Sequence, residues 1–292
     1  MLQLLLGGSG SGKTTLLYQR IRARAEKGEK SILLVPEQFT SSTEGRIYRE
    51  LGDALSGMVE SFSFTSLAEK ILSTEGGAAV QTLSDAGRAV LVRRALEELQ
   101  DNVHYYHRHR RSAAFCQMAA QTIDELKSAG LSGRQLAQLA GACGAESGKL
   151  SELALIFQGY ETLLARSGMD PSDRLELAGA RLEEALARHS LPEFLRDRAV
   201  FIDEFDTFNA PKKRLLGAML AALPSVTVAL CDDGAPLLPG DLSLFSGAKQ
   251  VAAQLRQLAR KNGAEVAVPQ LLRKDLRHRN APGLAAVAEL LE

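Results

Sequence analysis

The stretch Leu4-Leu5-Leu6-Gly7-Gly8-Ser9-Gly10-Ser11-Gly12-Lys13-Thr14-Thr15 constrains the fold more than any other part of the chain. The continuous apolar run before it, Leu2 to Leu6, reads as a buried parallel strand. Gly7, Gly12, Lys13 and Thr14 complete the pattern G-x-x-x-x-G-K-[ST], and Lys13 to Lys27 continues with helical patterning up to Gly28. Glycines let the backbone turn its N–H groups onto phosphate oxygens where a helix begins. The expected phosphate contacts are Gly7, Gly8, Ser9, Gly10, Ser11, Gly12, Lys13, Thr14 and Thr15. Lys13 is expected to reach the β- and γ-phosphates of ATP, and the Thr14 hydroxyl to sit on Mg²⁺. A second apolar run, Ser31 to Val35, stops at Pro36. Strand, loop, helix and strand in this order predict a right-handed βαβ unit and a parallel sheet, the α/β fold of a P-loop NTPase.

From about Leu83 to His189 the character changes. Apolar residues recur at helical spacing, as in Leu150, Leu153, Phe157, Tyr160 and Leu164, and strand candidates are nearly absent. Ser132 and Asp170-Pro171 read as helix starts. Strands return at Ala199–Asp203, at Val226–Leu230 and weakly at Glu265–Val268, and a helix-like run follows at Leu284–Leu291. The expected organisation is a discontinuous core, 1–82 with 197–292, and an all-helical insertion over 83–196. A chain of 292 residues has room for about two such bodies. With 35 basic and 35 acidic side chains, any nucleic-acid surface is a local patch. Cys116, Cys143 and Cys231 lie far apart with no paired metal spacing, which fits a reducing cytoplasm and argues against a disulfide framework. No apolar run reaches the roughly 18 residues of a membrane span. The opening apolar stretch flows straight into the phosphate loop, so it reads as a strand and not as a signal peptide.

A nucleotide site of this kind needs a second motif, an apolar strand ending in acid. Val200-Phe201-Ile202-Asp203-Glu204-Phe205-Asp206 supplies it. Asp203 is expected to hold Mg²⁺, and Glu204 to orient and deprotonate the attacking water. An acidic pair after a strand also serves as a helix cap, and it is the phosphate loop in the same chain that favours the metal reading. Asp203 comes 190 residues after Lys13. Small-molecule kinases and GTPases place the two motifs closer, and no Asn-Lys-x-Asp guanine signature occurs. A helical insertion between two ATP motifs is the layout of superfamily 1 helicases, with a RecA-like parallel sheet. Leu131-Ser132-Gly133-Arg134-Gln135 is similar to the L-S-G-G-Q signature of ABC-type ATPases, but it stands too far before Asp203 and reads as a serine cap opening a helix.

Four further segments complete a resemblance. Leu34-Val35-Pro36-Glu37-Gln38-Phe39-Thr40 is similar to a V-P-E-Q segment after the second strand. Ser61-Phe62-Ser63-Phe64-Thr65-Ser66-Leu67-Ala68 resembles the T-F-H-x-L-A motif of related helicases, with serine in place of threonine and histidine. Ile123–Leu131 and Asp170-Pro171-Ser172-Asp173 match the helical part. Together they resemble the AddB-type subunits of bacterial AddAB helicase–nucleases, over essentially the whole chain but only the first part of such a protein. The resemblance implies an ATP-binding, helicase-like region of an enzyme complex that resects DNA with free ends for recombinational repair. It also implies a cytoplasmic location, an AddA-type partner and single-stranded DNA along Gln38, Phe39, Thr40, Ser61 and Phe62. Short hydroxyls and backbone N–H groups fix phosphates there, and an aromatic ring gives a base a face to stack on. The alternative for each phenylalanine is an ordinary core position.

Departures from the helicase pattern qualify that picture. Cys231-Asp232-Asp233-Gly234-Ala235 stands where an active helicase has Gly-Asp followed by a glutamine that senses the γ-phosphate. Glu204 is retained, so hydrolysis and mere retention of ATP both stay open. The second RecA-like domain, the nuclease and its iron–sulfur cysteines are not in this segment. The expectation for this chain alone is ATP binding with little hydrolysis. A stand-alone phosphotransferase and a nucleotide-stabilised scaffold are the alternatives. The basic cluster His104–Arg111 reads either as a DNA contact or as a solvated connection between helices. A second cluster, Arg273–Arg279, reads equally as a surface loop or as a severed interface to a further domain.

Overall fold

Six strands form one parallel sheet: β1 (Leu2–Gly7), β2 (Ser31–Leu34), β3 (Val59–Phe62), β4 (Ala199–Ile202), β5 (Ser225–Cys231) and β6 (Gln270–Leu272). Their order across the sheet is β3-β2-β4-β5-β1-β6. The computed structural model describes residues 1–274 except 78, 80, 145 and 146, together with 277, 283 and 284. The run expected to be helical at 284–291 therefore lies, apart from Leu284, outside the described residues, as does part of the 273–279 cluster.

Burial on both faces explains why the strands read as unbroken apolar runs. Leu2 and Leu4 point to one side of β1 and Leu5 to the other, and all three are fully buried. Leu5, Leu33, Phe201 and Ala229 share a cluster with Leu17, Tyr18 and Ile21 of α1 (Lys13–Ala25) and with Ile47 and Leu51 of α2 (Thr40–Leu51). A short helix α3 (Asp53–Ser56) links α2 to β3, and α4 (Phe64–Glu75) follows it.

Two strand expectations change. Residues 265–268 make only an isolated bridge at Val266, and the ladder resumes as β6 after Pro269, which has no N–H to contribute. The Ser61-Phe62 segment, read as a groove motif, is itself half of β3, with Ser61 opposite Leu33 and Phe62 opposite Leu34.

The chain divides into two units. One holds the sheet and comprises Met1–Glu75, Gly179–Phe208 and Lys213 onward; the other comprises Gly76–Ala178 and Asn209–Lys212. The helical unit is therefore shorter at its far end than the expected 83–196. Its last helix, α9 (Pro171–Ala187), passes into the sheet unit at Gly179, where Glu183 pairs with Arg214 at 2.7 Å and Arg188 with Glu75 at 3.1 Å. The sheet unit is completed by α10 (Ala210–Ala222), from Lys213 on, and by α11 (Ser246–Lys261), which packs on β1 and β5.

The helical unit packs α5 (Asp85–Glu98), α6 (Ala113–Ser128), α7 (Gly133–Ala140) and α8 (Ser147–Ser167) around Leu96, Ile123, Phe157 and Tyr160. Ser84, Ser112 and Ser132 cap three of these helices, and Ser132 exchanges bonds with Gln135 in a capping box. The Leu131–Gln135 run is thus a helix start. The basic segment 104–111 connects α5 to α6. The buried Glu152 carboxylate orders it by accepting from the N–H groups of His104, Tyr105 and Tyr106.

Below α8 lies a charged network. Asp170, 1% exposed, accepts from the Tyr160 hydroxyl at 2.6 Å and from Lys127 Nζ at 2.8 Å; Lys127 also reaches Asp173 at 2.8 Å. Burial lowers the Lys127 ammonium, but its hydrogen bonds to Asp170 and Asp173 outweigh that and hold it above the usual lysine range. A raised lysine contributes stability that is complete below its ordinary range and is lost as pH rises through its folded value. Replacing Lys127 by Met strands the buried carboxylate and is expected to cost about 3–5 kcal/mol in urea unfolding at neutral pH. The difference from the unsubstituted chain should shrink in strongly alkaline buffer, where Lys127 loses its proton in the unsubstituted chain as well.

Candidate functional site

In open parallel sheets ligands gather beyond the carboxyl ends of the strands. Here the segments leaving β1, β4 and β5 collect there, and a cleft of about 500 Å³ opens among them.

The loop after β1 takes a shape that only glycine permits. Gly10 and Gly12 have φ of 79° and 92°, in the left-handed region. A side chain on Gly7 would meet Ser11 Oγ at 2.5 Å and the Leu272 carbonyl at 2.6 Å. Helix α1 then begins at Lys13 with Gly12 as its N-cap and no side-chain cap bond. Its first N–H groups therefore face the cleft with the positive end of the helix dipole behind them. Lys13 Nζ folds back into the loop and donates to the carbonyls of Gly7 (2.6 Å) and Gly8 (2.8 Å). Ser11 Oγ is buried and lacks a hydrogen-bond partner among the described residues.

Opposite the loop, Asp203 emerges from β4, 7% exposed, with its N–H on the Leu34 carbonyl at 3.1 Å. Its carboxylate is hydrogen-bonded to the Thr14 side chain and accepts the Glu204 N–H at 3.0 Å. Burial pushes this carboxyl above the usual range, while the Thr14 bond, the Glu204 N–H, Lys13 and Arg46 pull the other way. Glu204 takes φ 65°, a left-handed backbone that a non-glycine residue adopts at a cost. Its carboxyl is raised by desolvation and by Asp203. The sequence-predicted residues Lys13, Thr14, Asp203 and Glu204 are thus brought together in one cleft. A hydroxyl and a buried carboxylate side by side are hard oxygen donors of the kind that suits Mg²⁺.

Two cleft residues escaped sequence reasoning. Arg46 arrives from α2, and Arg277 reaches Ser9 Oγ at 3.0 Å from the basic cluster that followed the last expected strand. Arg46 belongs to no local motif and Arg277 only to a basic cluster; the fold of the sheet unit brings both to the cleft.

Of the expected DNA residues, Phe39 borders a smaller hollow together with Thr14 and Glu204, and the others line neither that hollow nor the cleft. Gln38 and Phe39 are exposed in a short turn after β2, and the Thr40 hydroxyl donates to the Glu37 carbonyl at 3.0 Å. Ser61 and Phe62 are half-buried in β3, and the Phe62 ring tilts toward Phe194 at 6.4 Å. The serines that follow shape the local backbone. Ser63 and Ser66 exchange side-chain to backbone bonds at 2.8 and 3.1 Å and start α4.

After β5 the backbone N–H of Asp232 reaches the Gly7 carbonyl at 3.3 Å. Asp233 pairs with the buried Lys249 of α11 at 3.2 Å, and Lys249 also reaches Asp241 at 3.4 Å. The segment after β5 is thus fastened to a helix. Among the described residues no group of His, Cys, Asp and Glu forms a further metal cluster, and no helix is long and apolar enough to cross a membrane.

The family model described as "ADDB, N-terminal" matches residues 4–288. The B subunit of an ATP-dependent helicase/deoxyribonuclease from Desulforudis audaxviator is 34% identical over 97% of this chain. The protein of the same name from Moorella thermoacetica is 33% identical over 97%, and that from Clostridium perfringens 29% over 90%. The matched parts are 25%, 25% and 22% of those proteins, so the chain spans about a quarter of the length of the curated relatives it matches.

Burying the Asp203 charge is costly while nothing neutralises it. Asp203→Asn is therefore expected to raise the melting temperature of the nucleotide-free chain at neutral pH by about 2–4 °C, the change that about 1 kcal/mol produces at this size. Calorimetry without nucleotide or metal measures it, and a fall in melting temperature would contradict the assignment of that cost.

Proposed function

The chain belongs to the AddB N-terminal family, and on that premise we propose that it is the ATP-binding, helicase-like region of a DNA-end-processing helicase–nuclease subunit. The observation that carries the reading is the uncapped start of α1, whose first-turn Thr14 is hydrogen-bonded to the buried Asp203 carboxylate beside a glycine loop closed by Lys13. The N–H groups of the loop bind phosphate oxygens, and Lys13 exchanges the Gly7 and Gly8 carbonyls for them. Thr14 and Asp203 would hold Mg²⁺, which when bound supplies positive charge to the phosphate oxygens. Glu204, exposed and with raised proton affinity, orients a water and takes its proton.

Gln38, Phe39 and Thr40, with Ser61 and Phe62, form the edge along which single-stranded DNA runs, Phe39 offering the exposed ring. The assembly acts in the cytoplasm on DNA with free ends, beside an AddA-type subunit, in recombinational repair. The Lys249 anchorage of the segment after β5 favours holding ATP over turning it over.

Lys13→Ala is expected to weaken ATP binding about a hundredfold, as loss of a charged donor does, with the fold retained. Calorimetric titration of both chains tests this. The chain alone should hydrolyse ATP near the background rate and separate no strands. Turnover with a small acceptor and no DNA would point to a phosphotransferase. DNA or partner binding that survives Lys13→Ala while ATP binding is lost would point to a scaffold.

A further inference from the structure

Arg46 faces the same cleft and has no part in the phosphate contacts above. Its guanidinium lies over the Tyr18 ring, 5.0 Å from the centroid. Tyr18 follows Thr14 by one helical turn, so the two share a face of α1 and Arg46 is held on the Thr14 side of the cleft. A hollow of about 180 Å³ adjoins the main cleft there; Thr14, Tyr18, Arg46, Asp203 and Glu204 line it, with Phe39 and Arg49 among its other walls. Arg46 walls both spaces.

Among the described residues no carboxylate lies within ion-pair distance of this guanidinium, and the Tyr18 ring is its one close partner. Its charge is nonetheless felt nearby, lowering the proton affinity of Asp203, Glu204 and Tyr18. A half-buried guanidinium beside a polar cleft presents a planar fork of donors that matches phosphate geometry. The position says which phosphate. Glu204, the residue placed to activate water, shares the hollow with Arg46, and water attacks the last phosphate of the chain.

We propose that Arg46 distinguishes a nucleoside triphosphate from a diphosphate in this cleft by binding the terminal phosphate from within the same unit. The proposal rests on the phosphate-site reading above. It gives the cleft a terminal-phosphate contact of its own, although the glutamine after β5 is absent.

ATP and ADP binding to the 292-residue chain in the presence of Mg²⁺, measured by titration calorimetry, tests it. Arg46→Ala is expected to weaken ATP binding about 10- to 100-fold, the range for a hydrogen bond to a charged group, and ADP binding by less than about threefold on the same scale. Arg46→Lys keeps a point charge and should retain part of the preference. Arg46→Gln keeps the stem over Tyr18 and should lose the preference, which separates the effect from misfolding in the alanine variant. Equal losses for ATP and ADP would assign Arg46 to packing against Tyr18 and overturn the proposal. So would ATP binding that is lost in Lys13→Ala but untouched in Arg46→Ala and Arg46→Gln. If the unsubstituted chain binds neither nucleotide, the phosphate-site reading falls and this proposal falls with it.

Discussion

Asp203 is a carboxylate kept at 7% exposure at the end of a fully buried strand, and the surroundings of the cleft answer to that fact. A charge so placed needs partners, and it takes them from three different elements. Thr14 comes from the first turn of α1, the Glu204 N–H from a left-handed backbone, and the fields of Lys13 and Arg46 from opposite sides. None of these compensates burial fully, because the carboxyl still sits above its usual range. Burial of an incompletely compensated carboxylate costs folding stability, and a positive charge brought close to it would recover part of that cost.

The sheet and the glycine loop after β1 were legible in the residues because each depends on local chemistry. Leu2–Leu6, Ser31–Leu34 and Ala199–Ile202 are apolar runs bounded by Gly, Pro and Asp, and glycines at 10 and 12 occupy backbone that other residues avoid. Helix caps were legible on the same ground, as Ser132 and Gln135 show. What could not be read was set by distant partners. β3 alternates too weakly to declare itself and exists because β2 offers it an edge. The register of β6 follows from Pro269, which interrupts pairing with β1 between Val266 and Gln270. Arg46 belongs to no motif, and Arg277 only to a basic cluster.

The helical unit raises the same point from the opposite direction. Its expected limit at 196 followed from helical periodicity, which runs on to Ala187 without a break. The compact units meet inside a continuous helix at Gly179, and the ion pairs of Glu183 and Arg188 lie within the sheet unit. Periodicity reports that a segment is helical and is silent on which body it is packed into. The Lys249 cluster is a comparable case: Asp233 and Asp241 look like loop acids in sequence, and only α11 makes them an anchorage.

The strand order bears on how such a chain comes off the ribosome. Of the six strands β1 is made first, yet its neighbours are β5 and β6. At synthesis rates of about 5–20 residues per second, roughly 10–45 s pass before β5, roughly 220 residues later, emerges to pair with it. The helices α5 to α8 pair with one another over short stretches and can close their own core in the meantime. The nascent sheet waits with an apolar strand uncovered on both edges, which makes the interval before β5 the time of greatest exposure to aggregation and to chaperones.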